Sequence, residues 1–113
     1  MATISKPVGR GDVLLRRGSD ERVGVLWQES LYDNSYTGVD LSGWSATFQM
    51  SCGGDVVYSL ACTTTSDGYA WAEIPASAFT DGKWLSMMSG TWKITATNAD
   101  ATEILGNGYY QLV

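Results

Sequence analysis

The chain has 113 residues, 44% of them hydrophobic, with five tryptophans and six tyrosines, which provides for one ordered domain with a real core and leaves little room for a second. Histidine is absent, cysteine occurs twice and the net charge is −5; this removes the usual general base and the commonest zinc ligand, excludes a disulfide scaffold, and sets most of the surface against a polyanionic partner such as nucleic acid. Only 17% of residues are charged while glycine, serine and threonine abound, so short strands and turns are expected rather than helices.

Residues 1–11 hold Pro7, Gly9 and Gly11 among small and polar residues and read as a flexible N-terminal arm, leaving 12–113 as the domain. The arm opens a basic region: residues 1–22 carry five cations against three carboxylates, whereas the remainder carries only Lys83 and Lys93 against nine. Lys6, Arg10, Arg16 and Arg17 are therefore candidate protein contacts, since a basic edge beside an acidic body can steer copies or partners together. The alternative is an ordinary solvated surface. Arg10-Gly11-Asp12 spells a known adhesion tripeptide, but reads better as the turn entering the first strand.

Residues 12–17 and 22–28 are expected strands flanking a GSDE turn, with Val23, Val25 and Trp27 on one face of the second. Residues 29–40 form a polar connection, in which Asp33, Asn34 and Asp40 lack the alternating spacing of a dedicated calcium loop. The clearest strand is Trp44–Ser51, with Trp44, Ala46, Phe48 and Met50 on one face. The CGGDVVYSLAC stretch after it announces a hairpin. A three-residue loop, Gly53-Gly54-Asp55, sets Met50 opposite Tyr58 and Phe48 opposite Leu60. A two-residue loop turns Tyr58 and Leu60 outward, so burial favours the longer one. In that register Cys52 faces Val56 and lies about 20 Å from Cys62, at ~3.3 Å per residue, too far for a bridge. Both are expected as buried thiols.

In YAWAEI (69–74), Ala70, Ala72 and Ile74 share one face and Tyr69, Trp71 and Glu73 the other, and the pattern leaves open which is buried. PASAF reads as one helical turn and DGKWLSMMSG as an irregular connection. TWKITAT (91–97) places Trp92, Ile94 and Ala96 inward. ILGNGYYQLV closes the domain, and its Gly106 and Gly108 indicate a bulge or a close backbone approach. The total is an all-β domain of about seven antiparallel strands.

No glycine-rich phosphate loop precedes a helix, and no pair of carboxylates is placed as an acid and a base, so neither an enzyme nor a cofactor is expected. No stretch is long and apolar enough to span a membrane. The start lacks the apolar core of a secretory signal, so synthesis in the cytoplasm is expected. Two aromatic groups stand out. Tyr69 and Trp71, if outward, form an aromatic stripe that, with Trp84, could serve as a sugar platform. Trp84, Met87 and Met88 either form an apolar contact loop or cap one open end of the domain.

The ordered series GDVLL, VDLSGWSATFQM, a GG hairpin, TSDGYAWAEIP, SGTWKITAT and GYYQLV resembles the small immunoglobulin-like β-sandwich of bacteriophage tail and baseplate proteins, notably the N-terminal domain of baseplate upper proteins. The likeness covers roughly residues 11–113 and departs at 75–89, where Trp84 and two methionines replace a plainer turn. It implies a virion structural protein of the tail, baseplate or tail adaptor, made in the bacterial host cytoplasm. Such a protein acts in many copies, or as a homo-oligomer, through contacts with other virion proteins. A capsid decoration protein and a carbohydrate-binding β-sandwich module are the alternatives.

Overall fold

The structure, a computed structural model, describes residues 9–113, and its regular secondary structure is almost wholly β-strand. In chain order these are β1 (Gly9–Arg10), β2 (Val13–Leu15), β3 (Glu21–Leu26), β4 (Gln28–Ser30), β5 (Tyr36–Gly38), β6 (Ser45–Cys52), β7 (Asp55–Ala61), β8 (Thr63–Thr64) and β9 (Tyr69–Ile74). A 3-10 helix at Gly82–Ser86 separates them from β10 (Ser89–Thr97) and β11 (Thr102–Leu112). The main sheet runs β1-β11-β10-β6-β7, with β2 also alongside β11; a second runs β3-β9-β8, and β4-β5 forms a third by itself. No helix among the described residues is long and apolar enough to cross a membrane.

Both larger sheets contribute to one core. Phe48, Met50, Ile94, Ala96, Leu105 and Leu112 come from the main sheet, and Val23, Ala70, Ala72 and Ile74 from the second. The alternation in YAWAEI is thereby settled, with the alanines and Ile74 inside and Tyr69, Trp71 and Glu73 outside. Leu41, in the turn before β6, plugs the core completely at the end where β4 and β5 emerge.

The β6–β7 pairing has the register expected from burial, Phe48 opposite Leu60 and Met50 opposite Tyr58, but reaches it differently. The loop is the two-residue Gly53-Gly54 turn, with φ of +62° and +89°, the left-handed pair that suits a tight hairpin. Cys52 faces Asp55, not Val56, and a bulge at Val57 restores the register. Both cysteines are free and half-buried rather than fully buried.

Three further expectations are corrected. The pairing is not uniformly antiparallel, because β1 and β2 lie parallel to β11. Residues 9–11, expected in a flexible arm, are built into the sheet: Gly9 pairs with Gly106, and the Gly11 amide donates to the Asn107 carbonyl at 3.0 Å. The first eight residues of that arm lie outside the described residues. Finally, the polar connection at 29–40 contains the β4–β5 hairpin.

The last strand holds both a bulge and a close backbone approach, but the bulge falls at Leu105 rather than at a glycine. Ile94 pairs with Gly106 but Thr95 with Ile104, so Leu105 is a bulge that turns its side chain into the core. Gly108 permits a close approach: a Cβ there would lie 1.8 Å from the Gly11 carbonyl oxygen. That carbonyl also accepts the Trp92 indole N–H at 2.9 Å, and Asp12 accepts the Tyr109 amide. The Arg10-Gly11-Asp12 tripeptide is thus held along β11.

Candidate interaction surfaces

The expected contact residues separate into distinct environments. Lys6 lies outside the described residues, and Arg10 enters through its backbone pairing with Asn107. Arg16 is exposed and ion-paired with Glu21 at 3.3 Å. Arg17 is half-buried, its Nε donating to the Phe79 carbonyl at 2.9 Å. The Arg17 guanidinium therefore ties β2 to the link after β9.

Trp84 is 2% exposed, so the loop at 84–88 caps the core and does not present its indole as a contact or a sugar platform. Its ring meets Phe79 edge-on at 4.9 Å and Tyr58 at 6.3 Å. Asp81 caps the 3-10 helix by accepting the Lys83 amide, which fixes the turn that drives Trp84 inward. Met87 and Met88 are half-buried against the core. Their carbonyls accept the Tyr110 hydroxyl and the Leu112 amide, tying the link to β11. The exposed large hydrophobic of this turn is Leu85.

Tyr69 and Trp71 do share the outer face of the second sheet. Register brings three cross-strand pairs together there: Arg22 with Glu73, Gly24 with Trp71, and Leu26 with Tyr69. The Arg22 guanidinium is ion-paired with Glu73 and stands 5.2 Å over the Trp71 ring, a cation–π contact. Trp71 is therefore half-covered, and its indole N–H is buried without an acceptor among the described residues. Tyr69 remains 46% exposed. Because Gly24 has no side chain, a shallow depression opens between Arg22 and Leu26, bordered by Tyr69 and Trp71. Its apolar edges and single cation fit a protein side chain better than the open indole plane that a sugar ring stacks on.

A further surface escaped the reading of the sequence. Tyr32 and Tyr36 are 79% and 66% exposed at the tip of the β4–β5 hairpin. Asp33 and Asn34, considered as oxygen ligands, instead build that tip: Asp33 accepts the Ser35 amide at 3.0 Å and its hydroxyl at 2.6 Å, and Asn34 adopts a φ of +66°. The Ser35 hydroxyl and then its amide hold the Asp33 carboxyl below the usual value. Asp40 makes the corresponding turn with Ser42, whose side chain and amide lower its pKa too. Two tyrosines around Asp-Asn-Ser were the available signal, but polar residues on both sides of the turn concealed the pairing.

No known family model matches the chain, and comparison with curated proteins finds no relative.

Proposed function

We propose that this chain is a non-enzymatic structural protein of a bacteriophage virion, an immunoglobulin-like β-sandwich of the tail, baseplate or tail adaptor that works through protein–protein contacts in many copies. The observation that carries the reading is the strand order. First and last strands pair in parallel, and the last is followed across the sheet by β10, β6 and β7. A separate β3-β9-β8 sheet supplies the opposing layer. This agrees with an immunoglobulin-like arrangement, and it joins the series DLSGW, GG, SDGYAW and SGTW in one order along the chain. The outer depression at Gly24, with Leu26, Tyr69 and Trp71, supplies a contact face of protein-interface composition.

The carbohydrate alternative loses support, since Trp84 is buried and Arg22 covers Trp71. Quantitative mass spectrometry of purified particles from the source phage or induced prophage tests the proposal. A few to a few dozen copies per particle are expected of a tail or adaptor protein. Copies comparable to the major capsid subunit mean a decoration protein instead, and absence from the particle overturns the virion reading.

A further inference from the structure

We infer that the β4–β5 hairpin is a preformed docking finger that seats in a basic cleft of a partner protein of different sequence. Among the described residues the two strands pair only with each other and pack extensively against no other strand; β4 is half-buried at the root, while Tyr36 and Thr37 of β5 are exposed. A lone two-stranded ribbon is marginal in water, yet this one is clamped at its root. The Trp27 amide donates to Gly68 at 2.8 Å, and the Val39 amide to Trp27 at 2.9 Å. Trp27 also meets Trp44 edge-on at 5.3 Å. Gly38 and Gly68 let the two chain segments touch: a Cβ on Gly38 would lie 1.8 Å from the Asp67 carbonyl oxygen.

The tip is equally ordered. The Leu31 amide donates to Ser35 at 2.9 Å, the Asn34 amide to Leu31 at 3.1 Å, and Asp33 closes the turn. Two large amphipathic side chains, Tyr32 and Tyr36, are thus presented on a backbone that needs little further ordering when it binds. This is the arrangement that makes tyrosine-rich loops efficient protein binders.

Charge selects the partner. Segments 27–44, 65–68 and 98–101 meet at this end of the molecule, where Leu41 bonds to Thr65 and Thr97 pairs with Ser45. They contain Glu29, Asp33, Asp40, Asp67 and Asp100, and no lysine or arginine. A receiving surface that offers cations to these carboxylates and to the tyrosine faces is complementary. The chain is a poor receiver of its own finger. Among the described residues, Arg16 and Arg22 are already paired with Glu21 and Glu73, and Arg17 is engaged by the Phe79 carbonyl. Lys83 lies over the Trp84 ring, and Lys93 is a single exposed cation on the outer face of the main sheet, so these cations form no cleft. Tip-to-tip association brings like charges together.

The test places the photo-crosslinker p-benzoylphenylalanine at position 32 of the full-length chain in its native cells, with position 59 on the outer face of the main sheet as the control. Expected is one product specific to position 32, joined to a chain of different sequence at a peptide rich in lysine or arginine. Its yield should fall about tenfold with Tyr36→Ala, as for loss of an interface anchor. Asp33→Asn with Glu29→Gln should also lower the yield, while melting temperatures stay near that of the parent. The same product from both positions, a crosslink to a second copy, or a yield indifferent to the charge-removing pair overturns the inference. It does not rest on the virion reading: a basic partner outside any particle would sustain the finger and lend that reading no support.

Discussion

Replacing Gly108 by alanine tests whether the first described strand is an integral part of the domain. The new Cβ would lie 1.8 Å from the Gly11 carbonyl oxygen and 2.9 Å from Trp92 Nε1, so backbone must move. The movement separates Gly11 from β11 and strands the indole N–H of Trp92, a residue only 5% exposed. An unsatisfied buried donor costs about 1–3 kcal/mol. Two neighbouring bonds, Gly11 to Asn107 and Tyr109 to Asp12, add about 0.5–1.5 kcal/mol each if they break. The total is about 2–6 kcal/mol. At about 2.1 cal/mol/K per residue, a 113-residue domain has an unfolding entropy of about 0.24 kcal/mol/K. The melting temperature should therefore fall by roughly 8–25 °C. Thermal melts by circular dichroism measure the shift, and hydrogen exchange measures the Gly11 amide, which should lose its protection. Gly82→Ala is the control, because a Cβ there meets nothing within 4 Å. A Gly108→Ala protein that melts within about 2 °C of the parent, with Gly11 still protected, would refute the packing of β1 on β11.

Trp84→Ala should destabilise the domain by about 3–5 kcal/mol in urea titrations, as for loss of a buried aromatic from a core. A change below about 1 kcal/mol would mean that the 84–88 loop is a surface feature after all. Stability should also fall at alkaline pH. Burial pushes the Cys62 thiol to about 11 from 9.0, and burial followed by the neighbouring Cys52 pushes the Tyr110 hydroxyl to about 12 from 10.0. The folded chain holds these protons more tightly, so both states are protonated below pH 9 and the unfolded chain ionises first above it. Melting temperature should be level with respect to these two groups up to about pH 9 and decline beyond it. Cys62→Ala should remove the onset of that decline, and an unchanged onset would dismiss the thiol as its source.

Much of the architecture follows from local chemistry that any stretch of the chain carries with it. Period-two alternation places Ala46, Phe48 and Met50, and then Trp92, Ile94 and Ala96, on buried faces. The paired glycines impose a hairpin, and the burial of Tyr58 and Leu60 selects its register. Even there, the register does not reveal that a bulge at Val57 supplies the extra residue, because a longer loop and a bulged strand leave the same side chains facing each other.

The sequence by itself therefore determined the all-β class, most strand positions and the faces they bury, since these depend on neighbours two residues apart. Tertiary structure alone decided the parallel seat of residues 9–15 on β11, because backbone hydrogen bonds between distant segments leave almost no mark on side-chain pattern. It decided the fate of the aromatics as well. Trp84 is buried because Phe79 and Tyr58 come to meet it, and Trp71 is covered because register sets Arg22 beside it. The hairpin at 28–38, exposed at its tip, belongs to the same class. Its strands have no buried face to write an alternation, and its existence depends on a clamp made by Gly38, Gly68 and two tryptophans contributed from outside the ribbon's own strands or at their ends.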